Sequence, residues 1–120
     1  MEDTTIRFKR GNNYSQHFEF TDENDTPVLL TGSQYFLFIV KQDYDDWRIA
    51  FAKKLKASDQ IDNGYTINFK PRDTMHMPSG SYIYEITLIT PSLNPNVQTV
   101  AEGKFVLEDT LMGRGRYVNY

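Results

Sequence analysis

Two histidines, His17 and His76, are the only imidazoles, and the chain has no cysteine. A zinc site needs several His, Cys or carboxylate ligands in organised spacing, such as a pair at i, i+4 on a helix. Neither histidine has such a partner in sequence. His17 falls on the polar side of an alternating segment and His76 lies in a proline-rich loop, so both read as surface or partner-facing residues. Two acidic clusters raise calcium: Asp22, Glu23 and Asp25, then Asp43, Asp45 and Asp46. Calcium takes six or more oxygens, and an EF-hand loop places Gly at its sixth position and Glu at its twelfth. That pattern fails from Asp22 and from Asp43, which leaves solvated turn carboxylates. A glycosidase needs two opposed carboxylates in a cleft. Glu19, Glu85 and Glu102 are spaced instead as residues on sheet faces.

The chain contains no G-x-S-x-G elbow, no P-loop and no G-x-G-x-x-G. Gly113-Arg114-Gly115-Arg116 resembles the start of an arginine-glycine segment, but it is too short to argue for RNA. Thirteen basic and sixteen acidic residues give a formal charge of −3, whereas phosphate tracking needs a basic surface. The expectation is therefore a protein that binds and assembles, with no catalytic residue, no cofactor, no metal and no nucleic-acid partner.

The elements that would carry binding residues have a period of two. Ile6 and Phe8 alternate with polar neighbours, as do Tyr14, Gln16, Phe18 and Phe20, with Gly11-Asn12-Asn13 as the break between them. Thr21–Pro27 is a turn, because its Asp and Asn side chains hydrogen-bond locally and its Pro presets φ. Val28-Leu29-Leu30 and the break Thr31-Gly32-Ser33 follow. Gln34–Lys41 is apolar at both parities, which predicts a central strand buried on both faces. Gln42–Trp47 reads as an acidic loop, and Arg48–Leu55 fits either a short strand or a helical turn.

Asn63-Gly64 predicts a tight turn before the alternation of Tyr65, Ile67 and Phe69. Pro71–Gly80 is too broken for more than one helical turn. Tyr82, Tyr84, Ile86 and Leu88 line one face of a long strand, Thr90–Asn96 is a loop, and alternation returns from Val97 to Leu107. No segment shows the 3.6 period of an amphipathic helix. The sum is an all-β, single antiparallel sandwich of about seven strands over residues 1–109, with Phe36, Phe38, Val40, Tyr84, Ile86 and Phe105 in its core. The longest wholly apolar run, Phe36–Val40, is far short of a membrane span of ~20 residues, and the acidic N-terminus lacks signal-peptide character, so no membrane insertion is expected.

Residues 110–120 lose the alternation and read as an extended tail. Tyr, Trp and Arg are the residues enriched at interface hot spots. Arg114, Arg116, Tyr117 and Tyr120 are therefore the candidate partner-binding residues, since a tail has no core of its own to fill.

Four motifs also occur in order. Ile6-Arg7-Phe8-Lys9-Arg10-Gly11-Asn12-Asn13-Tyr14 resembles the I-x-F-K-R-G-D-T-F start of a group of tailed-phage virion proteins. Asp25-Thr26-Pro27-Val28-Leu29-Leu30-Thr31-Gly32 is similar to their D-G-x-P-x-D-L-T-G turn, with Thr26 in place of the turn Gly and Leu29 in place of Asp. Residues 73–85 resemble D-T-x-x-L-P-x-G-x-Y-x-Y-D, and Val100–Leu107 resembles the L-x-E-G-x-F-x-V closing strand. The resemblance spans residues 6–108 and implies an immunoglobulin-like sandwich similar to the N-terminal domain of phage upper-baseplate proteins. It further implies a virion structural protein, assembled in the host bacterial cytoplasm into tail or baseplate, with a head decoration or head-fibre position as the variant. Its partners would be other virion proteins and further copies of itself, met through sheet edges and the tail. The alternative is a carbohydrate- or receptor-binding sandwich using Tyr44 and Trp47. The motifs read as fold devices: Pro78-Ser79-Gly80 breaks the chain before a long strand, and Gly103 admits a close backbone.

Overall fold

The computed structural model describes residues 2–110. The strands are β1 (Glu2–Asp3), β2 (Ile6–Lys9), β3 (Tyr14–Phe18), β4 (Tyr35–Lys41), β5 (Phe51–Lys56), β6 (Gln60–Ile61), β7 (Gly64–Phe69), β8 (Gly80–Thr90) and β9 (Asn96–Glu108). One 3₁₀ turn, Ala57–Asp59, and one helical turn, α1 (Pro71–Thr74), interrupt them. The larger sheet runs β1-β9-β8-β4-β5, with β2 also on β9, and the smaller runs β3-β7-β6. The two sheets form a β-sandwich, with β3, β6 and β7 in one layer and β4, β5, β8 and β9 in the other.

The core forms where the inner faces meet. Phe36, Phe38, Val40, Tyr84, Ile86 and Phe105 are all buried, as the alternation predicts, together with Ile6, Tyr65, Ile67 and Phe69. Phe38 is the hub: its ring lies 5.3 Å from Tyr84, 5.7 Å from Phe69, and 6.2 Å from both Phe51 and Phe105. Rings at such separations interact beyond the area they bury.

Sequence expectation and structure part at several places. The sandwich is not antiparallel throughout, because β1 and β2 pair parallel with β9 (Glu2↔Ala101, Ile6↔Phe105). Gln34–Lys41 is not buried on both faces: β4 alternates buried Phe36, Phe38 and Val40 with half-buried Tyr35, Leu37 and Ile39, since no third layer among the described residues covers the outer face. It also sits beside β5 and β8, and β8 occupies the position between β4 and β9. Within Arg48–Leu55, strand β5 begins only at Phe51, and residues 48–50 belong to the loop before it. The Asn63-Gly64 turn shifts back by one: Ile61 pairs with Gly64, Asp62 takes the left-handed conformation at φ 56°, and Gly64 begins β7. A side chain at Gly64 would collide with the Phe18 carbonyl. In the turn after β3 the left-handed residue is Asp25, at φ 60°, and not Thr26. Asp22 holds that turn, its Oδ1 accepting the amides of Asn24 at 2.8 Å and Thr26 at 3.0 Å.

The motif segments converge on one another. Arg10 is buried and its guanidinium donates to the Met75 carbonyl at 2.7 Å, while the Gly11 amide donates to Thr74 Oγ1 at 2.9 Å. The Tyr82 hydroxyl donates back to the Pro78 carbonyl at 2.6 Å, the tyrosine-corner contact of immunoglobulin-like sandwiches. Burial raises the Tyr82 phenol above its ordinary pKa, against a smaller opposing pull from the Arg10 charge. Gly103 lets the Thr4 carbonyl approach so closely that a methyl group there would overlap it. That carbonyl accepts the Tyr84 hydroxyl at 2.5 Å. These residues determine the fold, as their types suggest.

Candidate functional site

The surface that stands out is built by β4, β8 and the loop after β4. Along β4 the side chains of Tyr35, Leu37 and Ile39 point away from the core, and the register sets them beside Ile89, Thr87 and Glu85 of β8, with Lys41 beside Ile83. Leu37, Ile39, Ile83 and Ile89 are only half-buried, so apolar area faces solvent in the middle of the larger sheet. Partial cover comes from within the sheet, where Lys54 Nζ of β5 lies 4.2 Å from the centroid of the Tyr35 ring. On the opposite flank Glu85 of β8 faces Glu102 of β9 directly, a like-charge pair that weakens a sheet.

The loop between β4 and β5 extends this face. Its backbone is set by aspartates: Asp43 Oδ1 accepts the Asp45 amide at 3.0 Å, and Asp46 Oδ1 accepts the Arg48 amide at 2.9 Å. Hydrogen bonds from the Arg48 side chain and amide hold the Asp46 carboxyl below its ordinary pKa. With the carboxylates turned to the chain, the large side chains project outward. Trp47 is 84% exposed, Tyr44 61% and Ile49 54%. Tyr44 overhangs a groove with Ile39, Lys41, Ile83 and Glu85, while Ile49 lines another with His76, Met77, Pro78 and Tyr82. Apolar surface gathered in this way marks interaction sites more than chance exposure does.

The residues singled out for other chemistry are dispersed. His17 lies on the polar face of β3, with Nδ1 2.9 Å from Thr66 Oγ1 and Nε2 3.2 Å from Glu19. His76 is exposed beyond α1. Among the described residues no group of three or more His, Asp or Glu is placed to hold a metal ion. Asp22, Asp43 and Asp46 each accept an amide of their own turn, which accounts for these carboxylates as turn-forming groups. Millimolar calcium should therefore leave the melting temperature unchanged; a calcium-dependent rise abolished by Asp43→Ala with Asp45→Ala would contradict this. Arg114, Arg116, Tyr117 and Tyr120 lie outside the described residues.

The outward face of β4 is the part that sequence reasoning missed. Its signal was the apolar doubling of Gln34–Lys41, which was read as burial on both faces. Many of the 8 Tyr and 8 Phe belong to the core, since Tyr65, Tyr82 and Tyr84 are buried and Tyr14 stacks on Phe8 with centroids 4.9 Å apart. No protein-family model matches this chain, and no curated protein matches it.

Proposed function

We propose that this chain is a structural and assembly protein of a tailed-phage particle, built into the tail or baseplate and acting through protein–protein contacts, not through catalysis. The observation that carries the reading is the solvent-facing apolar surface of Leu37, Ile39, Ile83 and Ile89, overhung by Tyr44, with Trp47 and Ile49 exposed on the loop that follows β4. Support comes also from the four motifs that resemble virion proteins, three of which join β2, the α1 segment and β9 into one structural unit. The protein assembles in the host bacterial cytoplasm with other virion proteins and with copies of itself. Arg114, Arg116, Tyr117 and Tyr120 supply a further contact, their guanidinium groups suited to an acidic partner surface.

A carbohydrate- or receptor-binding role is the second reading, favoured by the exposure of Trp47. Aromatic rings of that kind stack on sugar faces as readily as they dock into protein pockets. Light scattering over a concentration series, paired with a glycan array, separates the two. The assembly reading expects mass to rise with concentration and no glycan signal. A monomer that binds sugar, and loses it on Trp47→Ala, supports the second reading.

A further inference from the structure

β3 ends the smaller sheet, and among the described residues its outer side carries no strand. Among the described residues no backbone hydrogen bond reaches Tyr14–Phe18 other than those of the β7 pairing; only the Gln16 side chain touches the His17 carbonyl, at a long 3.4 Å. An uncovered edge is a template for another strand, and proteins usually guard it with charge, proline, a bulge or short length. The other edges here are guarded. β5 carries Lys53, Lys54 and Lys56, β2 carries Arg7 and Lys9, and β6 has two residues. β3, Tyr-Ser-Gln-His-Phe, has five residues without a Lys, Arg, Asp, Glu or Pro.

Resting on the assembly reading above, we infer that β3 is the homotypic contact: it pairs antiparallel with β3 of a second copy across a two-fold axis at Gln16. The two smaller sheets then become one continuous sheet. This register sets Gln16 against Gln16 of the second copy, Ser15 against His17 and Tyr14 against Phe18. No formally charged side chain opposes another along the pairing, and aromatic Tyr14 lies opposite aromatic Phe18, a favourable cross-strand pair. A second copy is the partner that the charge selects. The strand offers an acidic or basic partner nothing to read, and its own copy opposes only groups that are neutral or, at His17, already set against Glu19. The same pairing through β5 would bring two sets of three lysines together.

Gln16→Lys and Gln16→Glu test the axis, since each variant places like charges opposite each other at the two-fold. The position is half-buried at an edge, so both side chains reach solvent, and circular dichroism checks that the fold is kept. The wild-type chain should dimerise by sedimentation, with amide protection at Tyr14–Phe18 rising with concentration. Each variant should dimerise roughly fivefold more weakly or worse. An equimolar mixture of the two should recover dimer. If the wild type associates while both variants associate equally well and β3 protection stays flat, the edge proposal is overturned and assembly proceeds through another surface. A wild type that stays monomeric across the range also overturns it, and particle content then decides the assembly reading separately.

Discussion

Phe38→Ala should cost about 3–5 kcal/mol of stability, the largest loss expected from any single truncation in this chain. The residue is fully buried on the inner face of β4, and its ring is shared by Tyr84, Phe69, Phe51 and Phe105, which come from β8, β7, β5 and β9. Four strands from both sheets therefore lose one common neighbour. Large rings on rigid strands do not collapse into the space left behind, so a cavity term adds to the lost transfer energy. Urea melts of the two proteins measure the difference. A loss below about 1 kcal/mol would mean that the sheets do not meet at Phe38.

Gly103→Ala should be among the most damaging small substitutions, at about 1–3 kcal/mol or above. The added methyl would overlap the Thr4 carbonyl and press on the Tyr84 hydroxyl that donates to it. Neither is the loose end of a flexible side chain. One is backbone, and the other belongs to a buried ring. The chain relieves the clash most easily by lifting its N-terminal strand from β9, which breaks the pairing of Ile6 with Phe105 and Phe8 with Leu107. Hydrogen exchange should show Ile6–Lys9 losing protection while Tyr84–Ile86 keep theirs, and the melt should move down. A variant that melts like wild type would show that Thr4 does not pack against Gly103.

Both predictions rest on features that differ in how far the sequence exposes them. Phe38 is visible from alternation alone, because period two assigns a face to every residue once a strand is recognised. The need for glycine at 103 is visible too, but the identity of its neighbour is not. Thr4 is distant in sequence, and nothing local to β1 or β2 says whether it pairs parallel with β9 or antiparallel with β3. The extra residue Val100, which lies opposite no β8 residue where Ile86 pairs with Ala101 and Thr87 with Thr99, is hidden for the same reason. Turn chemistry was legible to within one residue: Asn63-Gly64 marked the right hairpin, while the left-handed position went to Asp62.

The candidate surface was less legible than the fold. An apolar strand gives one signal whether its second face meets another layer or meets solvent. Only the sheet order and burial show that Leu37 and Ile39 lack a cover among the described residues. The loop aromatics were visible as residue types, yet their projection depends on Asp43 and Asp46 turning inward to the backbone. The open edge at β3 likewise follows from where the N-terminal strand goes. By pairing with β9 it leaves β3 uncovered.

The proposal that this chain is a built-in part of a phage particle is tested most directly by quantitative mass spectrometry of purified particles from the source that encodes it. The account predicts peptides of this chain in intact particles, at a fixed ratio to the other structural proteins and resistant to high-salt washing. Abundant chain in the infected-cell lysate with none in the washed particles would contradict it.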